Sequence, residues 1–156
     1  MNKNTNPIRC CVAIATVDDI ATIAQFQIAM AMESEGYELT HSTILQGVTA
    51  AMNDENKGRY VVAKIDNKTI ASLMLTREWS DWNNCWYWWV QSVYVLPAYR
   101  GNGVYKAMYA HVKQMAKEEQ VSQVRLYVDK GNTRAQEVYK KLGMDECHYL
   151  MYEEVI

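Results

Sequence analysis

The chain has 156 residues, 49% of them hydrophobic and 22% charged, which is typical of a globular protein of one domain. Lys and Arg total 16 against 18 for Asp and Glu, so the net charge is -2 and we expect no nucleic-acid partner. The start MNKNTNPIRC lacks an apolar core and no long apolar run follows, so we expect neither a signal peptide nor a membrane span. These features favour a cytoplasmic protein whose four cysteines are reduced.

The first half of the chain begins with a strand and two helices. Residues 1–7 form a polar tail, and the apolar run 8–15 predicts a first strand. Thr16 followed by two acids is typical of a helix start, and helical spacing continues to about Met32. After a break around Gly36, residues 40–52 predict a second helix.

Three strands follow. Residues 59–65 and 69–77 are rich in β-forming residues and are separated by a hairpin-type turn, Asp66-Asn67-Lys68. Residues 86–96 are apolar at both alternating positions, which indicates a central strand that is covered on each side. Pro97 ends this strand.

The last part alternates helices and strands. Residues 104–119 predict an amphipathic helix, residues 124–128 a short strand, and Asn132 the cap of a helix that Gly143 closes. The last dozen residues are β-like. The order β-α-α-β-β-β-α-β-α-β predicts a single-domain fold of the α/β or α+β class, with a mixed central sheet flanked by helices.

A glycine loop after the central strand carries the clearest chemical signal. Arg100-Gly101-Asn102-Gly103 lies between a buried strand and a long helix. The start of a helix presents unpaired N–H groups that can bind a pyrophosphate, and an arginine adds a cation for phosphate oxygens. By itself the loop is equally typical of a simple change of chain direction. A Rossmann site is excluded because a third glycine and the later acidic residue are missing.

Two segments resemble sequence motifs of one family. Residues 93–104, V-Y-V-L-P-A-Y-R-G-N-G-V, resemble the acetyl-CoA-binding stretch of the GNAT superfamily of N-acetyltransferases, V-x-P-x-x-R-G-x-G-[IV]-[GA]. Residues 132–144 resemble the motif N-x-x-A-x-x-x-Y-x-x-x-G-[FM] of the same superfamily. The resemblance implies a GNAT domain over residues 8–156. Tyr105 departs from it, since Gly or Ala is usual there.

The resemblance also implies a cofactor, acetyl-CoA, and roles for individual residues. The backbone of Val93 and Val95 would pair with the pantetheine arm, and Asn132 and Ala135 would belong to the same cofactor site. The pyrophosphate would be bound by backbone amides of Arg100, Gly101, Asn102, Gly103, Val104 and Tyr105. Tyr139 would protonate the departing CoA thiolate. The alternative for Tyr139 is a packing residue on the inner face of its helix.

The reaction also needs a general base. An alkylamine has a pKa of about 10.4, so a proton must be removed before it can attack. Glu78 follows the third predicted strand, and we expect Glu33 to lie in the break between the first two helices. We regard these two as candidate bases ahead of Asp81 and Glu35. Each is also typical of a solvated surface acid.

All five tryptophans lie within residues 79–89. Trp79 and Trp82 are candidates for the wall of an acceptor pocket, whereas Trp86, Trp88 and Trp89 are more typical of core or of a homodimer surface. The three histidines have no metal-ligand spacing, so we expect no metal site.

Three functions are compatible with the sequence. The first is an acetyl-CoA-dependent N-acetyltransferase that acts on a primary amine of a small molecule or peptide by direct attack in a ternary complex. The second is a non-catalytic acyl-CoA-binding or regulatory module. The third is a tryptophan-rich recognition module for a peptide or sugar. The sequence leaves the identity of the amine open.

Overall fold

The computed structural model describes residues 8–156. Its chain divides into two compact units, with the boundary between Leu126 and Tyr127. The polar tail predicted for residues 1–7 lies outside the described residues. The assignment of residues 8–156 to one GNAT domain stays a prediction.

The first unit contains a mixed sheet of five strands. The strands are β1 Cys11–Ile14, β2 Arg59–Ile65, β3 Lys68–Ser80, β4 Cys85–Val95 and β5 Gln123–Arg125. They are arranged in the order β1-β2-β3-β4-β5, with antiparallel pairing from β1 to β4 and parallel pairing of β4 with β5. The predicted fold class, a mixed central sheet with helices, is therefore confirmed.

The described residues contain four helices. They are α1 Ile20–Glu35, α2 His41–Asn53, α3 Val104–Glu118 and α4 Thr133–Lys141, the last of which lies in the second unit. Their positions agree with the sequence prediction to within a few residues. None of the helices in residues 8–156 is long and apolar enough to cross a membrane.

Local turn chemistry explains two of the predicted boundaries. Asp66 and Asn67 both have positive φ angles, 47° and 62°, which suits the right-handed twist of a tight hairpin between β2 and β3. At the end of α1, Gly36 has a φ of 63° and so supplies the left-handed cap that stops the helix.

The start of α1 is fixed by a buried carboxylate. Asp19 is 3% exposed, and its side chain accepts a hydrogen bond from the Thr16 N–H at 2.9 Å. It also bonds to Lys64 Nζ of β2 at 2.8 Å and accepts from the Thr69 hydroxyl of β3 at 2.6 Å. Burial opposes ionisation, but the bonds from Lys64, Thr16 and Thr69 outweigh it and lower the pKa of Asp19. This residue therefore joins the helix start to the sheet.

Both faces of the sheet bury apolar side chains. On one face, Trp88 and Val90 of β4 pack with Met108 and Val112 of α3. On the other face, residues of β2 pack with α1 and α2, the buried members being Ala15, Ile23, Ala24, Val48, Ala51, Tyr60 and Val62. The sheet is thus covered by α3 on one side and by α1 and α2 on the other.

The predicted last strand is wrong. Residues 145–156 contain no strand, and several large apolar side chains in this stretch are mostly exposed, including Leu150 at 74% and Val155 at 98%. An extended segment gains little stability unless it pairs with a neighbour and buries one face. β-forming residues alone therefore do not make a strand here.

Candidate active site

β4 is paired with β3 over its length but with β5 only over its first part. The parallel pairing ends at Trp89 opposite Arg125, whereas β4 continues to Val95. In the described part of the chain, residues 90–95 therefore have no strand partner on the β5 side. We call this stretch the open edge of β4. Such an edge presents N–H and C=O groups with which an extended ligand can pair.

The backbone of Val95 is directed to the open edge. Leu96 N–H donates to the Ile70 carbonyl of β3 at 2.9 Å, so residue 96 bonds toward β3. Consecutive residues of a strand direct their backbone groups to opposite sides, so Val95 is directed away from β3. Its carbonyl accepts a hydrogen bond from Arg100 Nε at 2.7 Å.

A β-bulge interrupts β4 beside this edge. Tyr94 and Gln91 are three residues apart on β4, but their partners on β3 are only two residues apart. Ser92 and Val93 therefore share one opposing residue, and Ser92 has a φ of 55°. Bulges bend a strand and re-aim its backbone groups, and they occur often next to active sites. The two valines predicted to bind the cofactor arm thus lie in the bulge and just after it.

The glycine loop leads directly into α3. Gly101 and Gly103 have φ angles of 78° and 81°, and the helix begins at Val104. A Cβ at Gly101 would meet no atom within 4 Å, so the backbone conformation, not lack of space, favours glycine there. The first N–H groups of α3 have no partner within the helix and lie at the positive end of its dipole. The predicted pyrophosphate amides therefore occupy a position suited to an anion.

Tyr105, the departure from the family motif, packs along α3. Its ring stacks with that of Tyr109, with centroids 6.1 Å apart and an interplanar angle of 15°. It also contacts the core on the α3 side of the sheet. A tyrosine is accommodated here because its ring has apolar neighbours to pack against.

The side chain of Arg100 is held by α1 and β4. Its Nη2 contacts Glu33 Oε2 at 2.7 Å, and its guanidinium lies 5.2 Å from the centre of the Tyr94 ring. The Tyr94 hydroxyl donates to Glu33 Oε1 at 2.8 Å. The predicted phosphate contact of the Arg100 side chain stays a prediction, and it would require exchange of the Glu33 partner.

These contacts also affect Glu33 as a candidate base. The hydrogen bonds from Arg100 and Tyr94 lower the pKa of Glu33. Burial and the bond to Glu33 raise the pKa of Tyr94, which stays a neutral phenol. A carboxyl group with a lowered pKa is a weaker proton acceptor, so this geometry disfavours Glu33 as the base.

The other candidate base, Glu78, lies in a second ion pair. Glu78 accepts hydrogen bonds from Trp89 Nε1 at 2.5 Å and from Arg125 Nη1 at 3.1 Å. The Arg125 guanidinium lies 4.4 Å from the centre of the Tyr87 ring and 6.0 Å from that of Trp89. The aromatic surface near Glu78 thus already holds a cation that belongs to the chain.

The two ion pairs lie on the same face of β4. Trp88 and Val90 belong to the core on the α3 side, so Trp89 between them points to the opposite face. Tyr94 packs against Phe26 of α1, with ring centroids 5.1 Å apart, and the bulge accounts for the shift in alternation. One pair therefore lies on each side of the bulge, on the face that α1 covers.

The tryptophans divide between core and surface. Trp88 is 1% exposed, which confirms the core interpretation for this residue. Trp86 is 41% exposed and packs edge-on against Trp79, so the core interpretation is wrong for Trp86. Trp82 is 89% exposed. The pocket role of Trp79 and Trp82 stays a prediction.

The remaining predicted site residues lie on α4 or at its N-terminal cap, in the second unit. Asn132 Oδ1 accepts a hydrogen bond from the Ala135 N–H at 3.1 Å, so Asn132 caps this helix as the sequence predicts. Burial raises the pKa of Tyr139. Its phenol is therefore protonated at neutral pH, as a proton donor must be, and the acid role stays a prediction. The cofactor contacts of Asn132 and Ala135 also stay predictions.

Sequence reasoning missed Tyr94 and Arg125. Both act on predicted site residues from other elements, Tyr94 across to α1 and Arg125 from β5 to Glu78. Local spacing carries no signal for such contacts, because they depend on the register of β4 with β5 and on the bulge. In residues 8–156, the four cysteines are free and no cluster suited to a metal ion is present.

Comparison with known proteins places the chain in a family. Residues 24–144 match the model of the acetyltransferase (GNAT) family. A structure from Clostridium difficile 630, described as a possible acetyltransferase, is 40% identical, has a TM-score of 0.88, and aligns over 94% of this chain and 97% of its own. The chain belongs to the GNAT acetyltransferase family, and acyl transfer is the activity of that family.

Two further comparisons give a more distant structure and a partial sequence match. A predicted acetyltransferase from Clostridium acetobutylicum, solved with acetyl-CoA, has a TM-score of 0.76 at 18% identity and aligns over 94% of this chain and 96% of its own, so it shows the fold alone. Thialysine N-epsilon-acetyltransferase of Bos taurus is 36% identical over 58 residues. That match spans 37% of this chain and about a third, 34%, of the bovine protein.

Proposed function

We propose that the protein is an acetyl-CoA-dependent N-acetyltransferase that acetylates a primary amine of a small molecule or peptide. The observation that carries this proposal is the open edge of β4 followed at once by the glycine loop and the start of α3. Together they offer strand-like pairing for an extended arm and N–H groups for a pyrophosphate.

The cofactor would lie along these two features. The backbone of Val93 and Val95 would pair with the pantetheine arm, and the amides of residues 100–105 would bind the pyrophosphate. Asn132 and Ala135 would complete the site from α4. The bulge supports this assignment, because it re-aims backbone groups where the arm would end.

The reaction would be a direct transfer within a ternary complex. The amine nitrogen forms a bond to the thioester carbonyl carbon, and the carbonyl oxygen gains negative charge that a nearby backbone N–H stabilises. The carbon–sulfur bond then breaks, and Tyr139 gives its proton to the thiolate. The nitrogen loses its proton to a base, and Glu78 is the candidate that we retain.

The ion pairs of the two predicted bases favour one alternative function, a non-catalytic module that binds acyl-CoA. Glu33 is bound to Arg100 and Glu78 to Arg125, so each carboxylate has a structural role that needs no catalysis. A module that binds acyl-CoA without transferring it would retain both pairs. Release of CoA that depends on an amine excludes this alternative.

Acceptor, assembly and location follow as further proposals. The bovine relative acts, by its name, on the amine of thialysine, so amino-acid-like amines belong in any acceptor panel. A homodimer and a cytoplasmic location are the arrangements that we propose, without a nucleic-acid or membrane partner.

The proposal is tested by titration and by a thiol-release assay. Calorimetric titration should show that acetyl-CoA binds the full chain. Addition of amines should then release CoA thiol and give the acetylated amine in equal amount. Failure to bind acetyl-CoA would rule out the proposed function, and binding without amine-dependent release would favour the non-catalytic module.

A further inference from the structure

The α1 face of β4 has a balanced set of charges around the bulge. Glu33 and Arg100 lie on one side of the bulge, and Glu78 and Arg125 lie on the other. The residues of β4 between these pairs include Gln91, which is neutral. A site for a polyamine would instead need an excess of negative charge to replace the water around several ammonium groups.

The charged groups at the margin of this face remain partly accessible. The side chains of the two ion pairs are each about one-third to two-fifths exposed, namely Glu33 41%, Arg100 38%, Glu78 39% and Arg125 31%. On the opposite face, Trp88 and Val90 are buried under α3. An acceptor that approaches the bulge therefore meets these charged groups.

Some hydrogen-bond donors of the Arg125 guanidinium are unused among the described residues. Its Nη1 donates to Glu78, and its Nε donates to Gln123 Oε1 at 3.0 Å. Within residues 8–156, no hydrogen bond is made by its Nη2. The rings of Tyr87 and Trp89 hold the guanidinium plane in place. A fixed guanidinium with an unused nitrogen is suited to binding a carboxylate.

The location of Arg125 relates it to the proposed reaction. It is paired with Trp89 at the point where β4 and β5 separate, and the open edge begins at the next residue. An acyl arm along the open edge would end near the bulge, a few residues away. An anionic group bound at Arg125 would then place the remainder of its molecule close to the thioester.

From this arrangement we infer that Arg125 is a specificity-determining residue that selects amine acceptors carrying a carboxylate, that is, amino-acid-like amines over polyamines. The inference rests on the proposed acetyltransferase function. It differs from a purely structural role, in which the Glu78–Arg125 pair only ties β3 to β5.

The test compares acceptors that differ only near the carboxylate. L-lysine, L-lysinamide and cadaverine each offer a primary amine on the same carbon chain, but only L-lysine has a carboxylate. Their kcat/KM values are measured for the wild type and for Arg125→Gln and Arg125→Lys, together with the Kd for acetyl-CoA. Arg77→Gln is the matched control, since Arg77 pairs only weakly with Glu55, at 3.8 Å, on the opposite face.

We expect the wild type to prefer L-lysine to cadaverine by about tenfold or more, since a charged hydrogen bond is at stake. Arg125→Gln should bring the ratio close to one, because kcat/KM for L-lysine should fall much further than kcat/KM for cadaverine. Arg125→Lys should keep part of the preference. The acetyl-CoA Kd should be unchanged in both variants, and Arg77→Gln should match the wild type.

Three results would overturn the inference. One is a wild type that uses cadaverine as well as L-lysine, and another is an Arg125→Gln variant that loses activity on all three amines equally, as a structural role predicts. The third applies if neither amine is acetylated, in which case binding to the CoA-loaded protein is measured instead. L-lysine that binds no better than cadaverine, or that does not bind, would then overturn the inference. A wild type that does not bind acetyl-CoA would instead contradict the proposed function itself.

Discussion

Arg100 Nη2 lies 2.7 Å from Glu33 Oε2, so the loop that precedes α3 is joined to the last turn of α1. Both residues were expected to act on ligands, Arg100 on phosphate and Glu33 on the amine proton. In the structure they bind one another, and Tyr94 and the Val95 carbonyl complete the arrangement. The pair connects α1 to the loop proposed to hold the cofactor.

Substitution of Glu33 separates its two proposed roles. Glu33→Gln keeps the shape but weakens the bond that joins the glycine loop to α1, so the loop amides proposed to bind the pyrophosphate should be less well positioned. We expect the Kd for acetyl-CoA to rise by about threefold to tenfold, equivalent to about 1 kcal/mol. If Glu33 were the general base, Glu33→Gln would instead lower kcat and remove the acidic limb from the pH profile of kcat. Glu38→Gln, on the exposed segment after α1, is the control and should behave as the wild type.

Tyr139→Phe tests the proposed acid. The variant keeps the ring and loses the proton, so we expect kcat to fall by about a hundredfold or more while the Kd for acetyl-CoA stays the same. Because burial raises the pKa of Tyr139, activity should show no loss from deprotonation of this group at neutral pH. The exposed Tyr149→Phe serves as the control. An unchanged kcat in Tyr139→Phe would exclude the acid role.

The bonds of Asp19 predict that the free energy of unfolding depends on pH. Its folded pKa is lowered, so its contribution is complete above the unfolded pKa of about 3.9 and is lost as the pH falls through the folded value. Asp19→Asn should therefore reduce the free energy of unfolding by about 2 kcal/mol at pH 7. Urea unfolding at pH 7 and at about pH 3 should show this difference shrinking.

The exposed neighbour Asp18→Asn is the matched control for this measurement, since its side chain forms none of the bonds that hold Asp19. A difference between wild type and Asp19→Asn that stays constant over the acidic range would contradict the proposed ionic contribution.

Substitutions of Gly101 test whether the backbone conformation of the glycine loop requires glycine. With a φ of 78° and no atom within 4 Å of a Cβ, Gly101→Ala should cost about 1–2 kcal/mol of unfolding free energy through backbone strain alone. Gly101→Asn should cost less, because asparagine adopts this conformation more readily. Chemical denaturation of both variants checks the order, and an alanine variant as stable as the asparagine variant would show that the strain argument fails.

Much of the fold was predictable because its signals are local. The Asp66-Asn67 turn, the Gly36 and Gly143 helix ends and the Asn132 cap are each determined by a few neighbouring residues. The strand prediction for the last residues failed for the opposite reason. A strand depends on a partner and on burial of one face, and residues 145–156 have neither strand pairing nor a buried face.

The candidate site was predictable only in part. The glycine loop follows from the sequence, because two glycines between a strand and a helix have few alternatives. The partners of Glu33 and Glu78 do not, because they come from β4, the loop and β5. Residues far apart in sequence meet through sheet register, which composition and spacing do not encode. The conclusion that both carboxylates are ion-paired therefore required the structure.

A crystal structure of the protein with acetyl-CoA tests the central claim most directly. We expect the pantetheine arm to pair with the backbone of Val93 and Val95 along the open edge of β4, and the pyrophosphate to lie at the amides of residues 100–105. A cofactor bound elsewhere on the chain, with the open edge of β4 left unoccupied, would contradict it.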